Sequence, residues 1–376
     1  MRLLHTADVH LTPGAPERGE VFRSVCRMAR ELDCAALLIS GDLFDSARAA
    51  QELRVDARRL FDSLEKDVYI IPGNHDLQAF QSGEYYGRNV HIAKSPMRWE
   101  LEGALLLGIP YLPGRQGAES LLSLSKTQGE QLPLIALMHA NFYNSSLSAC
   151  FFAEDSDDAC LWDRDLEELP PSYIALGHWH NPTLPPIRVN KAQVAYSGTP
   201  CPTAKGENGA RRAFLIDISH EGISAQGVEI PGAPRRETAS FFFVPGEEEK
   251  ILEEMRYFLE SQADRQVILD LEAEGWVEGI SEEACAAEIE SLAGRYRERW
   301  RAVNSGTPQI SGVGTLPGVA SRCLQFLKES EPPQPLSLDD CADPSLLELA
   351  REVGEDRRSL YRRALSLLLR QMGRGR

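Results

Sequence analysis

The sequence predicts an α/β protein, with helices covering a parallel sheet, followed by a smaller α+β unit. Three observations predict it. Short continuous apolar runs alternate with segments of helical spacing, the rhythm of βαβ units. Strongly polar clusters fall where those apolar runs end, which is where open α/β sheets place their ligands. Past the turn-rich stretch Pro231-Gly232-Ala233-Pro234 the order of elements changes, marking a boundary.

The first run, Arg2-Leu3-Leu4-His5-Thr6-Ala7, reads as a strand ending at Asp8-Val9-His10. Residues 21–32 have helical spacing, with Val21, Phe22, Val25, Met28 and Ala29 on one face. Residues 35–40 are continuously apolar, as in a strand covered on both sides, and end at Gly41-Asp42-Leu43-Phe44-Asp45. A second helix over 49–64 leads to Val68-Tyr69-Ile70-Ile71, stopped by Pro72 and followed by Gly73-Asn74-His75-Asp76. Residues 104–109 and 134–138 read as further strands, the second delivering His139. Residues 141–171 are polar and acidic and read as a mixed loop-and-helix insertion. Residues 173–176 lead into Gly177-His178-Trp179-His180, and Val194-Ala195-Tyr196 into Ser197-Gly198-Thr199-Pro200. Residues 214–218 close this part.

The reading divides the chain at 1–232, 233–304, 305–343 and 344–376. In the second part strands are expected at 240–244, 266–271 and 295–303, with helices at 247–259 and 281–292. Residues 305–317, rich in Gly, Ser and Thr, read as loose, and 329–343, rich in Pro and acid, as a linker. The tail has helical spacing: Leu360, Ala364, Leu367 and Leu368 share a face, and Arg358, Arg362, Arg363 and Arg370 carry charge.

A chain of 376 residues, 43% hydrophobic and 26% charged, buries a substantial core and suits a soluble multi-domain protein. Its net charge of -16 excludes a broadly basic nucleic-acid coat but leaves room for a local basic groove. No run approaches the ~20 apolar residues of a membrane span, and the N-terminus meets Asp8 too soon for a signal peptide. The eight cysteines are scattered without a CxxC pair, which points to reduced thiols in a cytoplasm.

Asp8 and His10, Asp42 and Asp45, Asn74 to Asp76, His139, and His178 and His180 all sit at strand ends. A lone histidine there is usually just hydrogen-bonded, and a lone Gly-Asp is usually a turn. The same accident at five strand ends is far less plausible than a shared site. Phosphate ester hydrolysis gathers negative charge at one phosphorus, and two divalent cations ~3.5–4 Å apart can clamp its oxygens and hold the attacking hydroxide. Carboxylate, amide and imidazole donors without thiolate suit Mn, Fe or Zn. Residues two apart on an extended segment point the same way, so Asp8-x-His10 and His178-x-His180 each aim a pair of donors. Asp42 is placed to bridge the cations, with Asn74 and His139 completing the second.

The order DxH, GDxxD, GNHD, H, GHxH resembles the calcineurin-like metallophosphoesterases over about residues 1–230. The resemblance implies a four-layer sandwich, helices flanking two mixed β-sheets, with a small α+β capping domain and a helical C-terminal tail. It implies Asp8, His10, Asp42 and His180 as ligands of one metal, and Asp42, Asn74, His139 and His178 as ligands of the other. It implies His75 as the acid that protonates the leaving oxygen and Asp45 as the group that orients it. Asp76 is assigned to holding the turn.

Leu4-His5-Thr6-Ala7-Asp8-Val9-His10-Leu11, Gly41-Asp42-Leu43-Phe44-Asp45 and Tyr196-Ser197-Gly198-Thr199-Pro200 resemble the SbcD/Mre11-like DNA nuclease branch. That implies a manganese-dependent exonuclease or single-strand endonuclease, a homodimer, and an SbcC/Rad50-like ABC-type ATPase as partner. The segment after His139 and the last 70 residues depart from the pattern. Arg235, Arg236, Arg295, Arg297, Arg299 and Lys205 are weak candidate DNA contacts, each more readily read as an ordinary solvated charge. The tail helix reads either as packing on its own domain or as docking on the partner's coiled coil, with a membrane surface a lesser option. A phosphodiesterase on small cyclic or nucleotide-linked esters and a non-catalytic scaffold stand as rival readings.

Overall fold

The computed structural model describes residues 1–316 except 81–82, 127–131, 145–157, 168, 171 and 221, together with 318, 321–322 and 325. The chain divides into two compact units, Met1–Arg236 and Glu237–Arg376.

The first unit holds β1 (Arg2–Thr6), α1 (Pro16–Glu31), β2 (Ala36–Ser40), α2 (Ala47–Leu64), β3 (Asp67–Ile71), β4 (Val90–Ile92), β5 (Met97–Leu101) and β6 (Ala104–Ile109). It continues with α3 (Gln116–Ser125), β7 (Leu134–His139), β8 (Asn141–Tyr143), β9 (Cys160–Trp162), β10 (Ser172–Gly177), β11 (Ile187–Val189), β12 (Ala192–Tyr196), β13 (Arg212–Ser219) and β14 (Gly222–Glu229). One six-stranded sheet runs β14-β13-β1-β2-β3-β4 and the other β11-β12-β10-β7-β6-β5. Both are mixed rather than purely parallel. In the first, β1 to β4 are parallel while β13 runs antiparallel to both of its neighbours, β1 and β14. In the second, β6, β7, β10 and β12 are parallel, edged by antiparallel β5 and β11.

The apolar runs of β1 to β3 lack polar alternation because both faces are covered. Leu4, Leu37, Ile39, Val68 and Ile70 pack with Phe22, Val25 and Phe61 of the helices. Their alternate neighbours Leu3, Leu38, Tyr69 and Ile71 pack with Leu106, Ile135, Leu137 and Ala175 of the other sheet. The outer face of that sheet packs Leu107, Ala136 and Ile174 with Ala118 and Leu121 of α3. Period-two side-chain alternation thus builds four layers, helix, sheet, sheet, helix. Ser46 caps α2, its hydroxyl accepting the Ala49 N–H. His5 belongs to this core and not to the site: it is fully buried, its Nδ1 3.0 Å from the Tyr173 hydroxyl, and burial pushes its pKa down to about 3.

The second unit holds all but the first two residues of β15 (Arg235–Phe243), then α4 (Glu248–Ser261), β16 (Val267–Val277), α5 (Glu282–Tyr296), β17 (Ala302–Asn304) and β18 (Gln309–Gly312). The long β16 pairs in parallel with β17 along its first half and with β18 along its second. Met255, Leu259, Leu269, Cys285, Ile289 and Trp300 form its core. Two readings of this region are corrected. Residues 305–317 contain strand β18, whose Ile310 is buried. The strand expected over 295–303 shrinks to Ala302–Asn304, because α5 runs on to Tyr296 and a 3-10 turn follows. The tail over 344–376 and the linker over 329–343 lie outside the described residues.

Among the described residues, Cys26, Cys34, Cys160 and Cys285 are free and buried, Cys201 is buried, and no helix is long and apolar enough to cross a membrane.

Candidate metal centre

Every predicted donor stands at or just past the carboxyl end of a strand: β1 for Asp8 and His10, β2 for Asp42 and Asp45, β3 for Asn74 and His75, β7 for His139, its last residue, and β10 for His178 and His180. The first three strands belong to one sheet and the last two to the other, so both sheets contribute. Four of these residues have left-handed backbone, with φ 51° at Asp8, 49° at His10, 49° at Asp42 and 100° at His178. That region is sparsely populated by residues with a Cβ, and such strain clusters at functional sites. Close approach needs small neighbours as well. A Cβ at Gly73 would overlap the Asp42 carboxylate, and one at Gly41 would overlap the His139 ring.

The donors are graded in depth. Asp8, His10, Asp42 and His139 are buried, His178 and His180 half-buried, and Asn74, His75 and Asp45 exposed. One group joins Asp8, His10 and His180, and a second joins Asp8, Asp42 and His139, with donor atoms in each lying within 4.8 Å of one another. The Nε2 atoms of His10 and His180 face each other at 3.2 Å. Asn74 Oδ1 lies 2.9 Å from His139 Nε2 and 3.3 Å from His178 Nδ1. Asp42 Oδ2 lies 3.3 Å from His139 Nε2 and 3.9 Å from His10 Nε2, between the two groups. Asp8 also reaches toward the second group, 4.0 Å from His139 Nδ1.

On His139, His178 and His180 the nitrogen that faces away from the cage is occupied. His139 Nδ1 meets the Ser40 carbonyl at 2.9 Å, and since a carbonyl only accepts, Nδ1 carries a proton and Nε2 is the nitrogen turned to the cage. His178 Nε2 is 3.2 Å from Asp158, which also accepts from Tyr111 Oη (2.9 Å) and Asn141 Nδ2 (2.7 Å). His180 Nδ1 is 2.7 Å from Glu207, which is pinned by the Thr203 N–H (2.5 Å) and hydroxyl (2.7 Å). An acceptor behind each of these three imidazoles fixes its tautomer and raises its basicity as a ligand, whereas His10 Nδ1 is buried without a hydrogen-bond partner. Asp158 and Glu207 escaped the sequence reading. They come from irregular segments 20 and 27 residues from their histidines, and no local spacing signals them.

The charge balance fits a cation. Burial raises the pKa of Asp8 to about 6. Burial works the same way on Asp42, but hydrogen bonding and charge from His139 hold it at about 2. Burial disfavours a charged His139, yet Asp42 raises it to about 9. In the metal-free protein a proton on His139 offsets a buried carboxylate, at the place where a bound cation would do so. Burial lowers His10 to about 4, which keeps it neutral and able to ligate. Oxygen and imidazole donors without sulfur suit hard or borderline divalent metals.

Two predicted residues sit at the edge. His75 approaches the His10 ring edge-on with centroids 4.9 Å apart, and its Nδ1 lies 3.3 Å from the Asp45 main-chain carbonyl. The Asp45 carboxylate lies 3.5 Å from both His10 Nδ1 and Arg18 and has an oxygen within 4.8 Å of a His75 ring nitrogen, while the hydrogen bond to His75 is made by its backbone. Asp76 holds the turn: buried, it accepts the N–H groups of Gly73 (2.8 Å) and Phe44 (3.1 Å).

The fold of the first unit and these donors are those of a metallophosphoesterase domain. Residues 1–182 match the calcineurin-like phosphoesterase family, and the chain carries a calcineurin-like metallophosphoesterase domain. The DNA double-strand break repair protein Mre11 of Methanosarcina mazei is 25% identical over 307 residues, 72% of this chain and 45% of that protein. Mre11 of Methanopyrus kandleri is 25% identical over 401 residues, 95% of this chain and 83% of that protein. The uncharacterized metallophosphoesterase YhaO of Bacillus subtilis is 26% identical over 257 residues, 60% of this chain and 59% of that protein. The chain therefore spans less than two thirds of the Methanosarcina and Bacillus proteins.

Proposed function

We propose that this chain is a two-metal-dependent phosphodiesterase that cuts DNA, as an exonuclease or single-strand endonuclease. The observation that carries the hydrolytic part is the occupied outer nitrogen on each of His139, His178 and His180, which presents the inner nitrogens as a prepared donor set. Asp8, His10, Asp42 and His180 would hold one cation, and Asp42, Asn74, His139 and His178 the other. When bound, divalent cations polarise phosphoryl oxygens and lower the pKa of water. The chain's own part is positioning and proton transfer. His75 gives its Nδ1–H to the Asp45 carbonyl, which leaves Nε2 at the exposed rim to hold the proton that the departing oxygen takes.

The DNA assignment is supported by the Mre11 relatives, which are named for DNA double-strand break repair. In this reading the protein dimerises and works with an SbcC/Rad50-like ABC-type ATPase, with the segment 344–376 as the docking element. This part rests on the resemblance alone.

The test compares a linear single-stranded oligonucleotide with bis(p-nitrophenyl) phosphate in the presence of Mn²⁺. Both should be hydrolysed, and chelation should stop both reactions. His75→Ala should lower kcat by about 10²–10⁴, the scale of a lost general acid, with Mn²⁺ titration unchanged. Hydrolysis of the small diester with the oligonucleotide left intact would defeat the DNA assignment and favour a small-phosphodiester enzyme.

A further inference from the structure

Trp179 stands between His178 and His180 in the chain, yet its side chain is 53% exposed. A tryptophan left in water at the mouth of a polar cage is unusual, since its ring has the most to gain from burial. Nor is it loose. Its indole N–H donates to Asn141 Oδ1 at 2.6 Å, and Asn141 Nδ2 in turn donates to Asp158 at 2.7 Å, the carboxylate behind His178. The ring lies 6.1 Å from that of Tyr196 at an interplanar angle of 38°. Tyr196 is itself fixed, donating to the Ala140 carbonyl at 2.9 Å and accepting the Phe142 N–H at 2.6 Å.

The only polar group of the indole is thus already used within the protein. What remains is an apolar π face held at a set distance from the candidate metal ligands. Such a face discriminates against nothing by hydrogen bonding and binds flat, aromatic partners. Nucleobases are of that kind, and base–aromatic stacking is sequence-tolerant because every base has a π face. Bases inside a duplex are already stacked on their neighbours, so an enzyme ring gains most from an unpaired one.

We propose that Trp179 is a base-stacking platform: it holds an unpaired nucleobase of the nucleotide beside the scissile phosphodiester and so favours single-stranded nucleic acid at this site. This rests on the nucleic-acid reading above. The platform binds and chemistry stays with the cage, so the effect belongs in KM more than in kcat.

The experiment uses the full chain with Mn²⁺, as wild type, Trp179→Ala and Trp179→Phe. The probes are a single-stranded oligodeoxynucleotide and the same oligomer carrying abasic residues flanking the cleaved bond. On the normal oligomer Trp179→Ala should raise KM roughly 5- to 150-fold, the range of one lost stacking contact, and Trp179→Phe should recover most of it. On the abasic oligomer wild type should fall to the level of Trp179→Ala, and the substitution should make no further difference. Equal losses on both oligomers would assign Trp179 to holding His178 and His180 in place and overturn the proposal. So would equal KM values for wild type and Trp179→Ala. A wild-type protein that hydrolyses bis(p-nitrophenyl) phosphate but neither binds nor cuts the normal oligomer removes the nucleic-acid reading itself, and the platform with it.

Discussion

The two units bury acids in different ways. In the second, Glu248 Oε1 accepts the N–H groups of Gly246 (3.0 Å), Glu278 (2.7 Å) and Gly279 (3.4 Å), and Asp270 accepts from Asn304 at 2.9 Å. In the first, Asp8 and Asp42 take N–H groups from His178 and His75, but their remaining lone pairs look into a space shared with imidazoles. A carboxylate surrounded by donors is finished structure. One that faces other acceptors is stable only with a proton or a cation between them. The comparison separates the site from the scaffold without reference to any relative. It also sorts acids within the first unit, because Asp76 and Asp165 are enclosed like Glu248, Asp165 by Arg115 (2.5 Å) and the Trp162 N–H (2.9 Å).

Substitutions at three positions probe that contrast. The largest effect is expected at Asp42. Asp42→Ala should abolish Mn²⁺ binding at one position at least and lower phosphodiester hydrolysis by more than roughly 10²-fold, the scale of removing one electrostatic stabiliser. Normal Mn²⁺ stoichiometry in calorimetric titration would mean that Asp42 is not a ligand. Glu207 should come next, because it acts on the cage through His180. Glu207→Ala should weaken Mn²⁺ binding by about 10- to 100-fold, with Glu207→Gln recovering part of the loss through its carbonyl oxygen. Unchanged affinity would reduce Glu207 to a clasp on its own loop.

The smallest effect on function, and one confined to stability, is expected at Glu248. Glu248→Ala strands three backbone N–H groups and should cost about 1–3 kcal/mol in chemical unfolding, with hydrolysis unchanged. Those hydrogen bonds overcome the opposing effect of burial and hold the Glu248 pKa below its ordinary 4.5. The folded value is the lower one, so the stabilisation is complete above about pH 4.5 and disappears as the solution is acidified through the folded pKa. Glu248→Gln should remove that part of the acid sensitivity, and an identical pH profile would contradict the assignment.

How much could be read in advance follows from how local each signal is. Asp8, His10, Asp42, Asn74, His75, His139, His178 and His180 were legible because each sits at a strand end that announces itself by a continuous apolar run. Asp158 and Glu207 were not, because their partners are distant in the chain and their own neighbourhoods have no periodicity. Strand β18 was hidden by composition. Gln309-Ile310-Ser311-Gly312 reads as a loop, and only its pairing with Glu274 to Val277 makes it a strand. The strand expected over 295–303 was a different error, since apolar residues at both ends of an overrunning helix and a tight turn imitate a strand. Asp45 shows the limit for site residues: a motif can bring two groups together without saying whether side chain or main chain makes the contact.

The left-handed backbone at Asp8, His10, Asp42 and His178 has an implication for protein engineering. The backbone dihedral at each of these positions sets the direction in which its Cα–Cβ bond leaves the chain. Transplanting the same eight side-chain identities onto ordinary extended termini of another scaffold would therefore aim them apart, however faithfully the spacing were copied. A designer would need to borrow the turns first and the residues second.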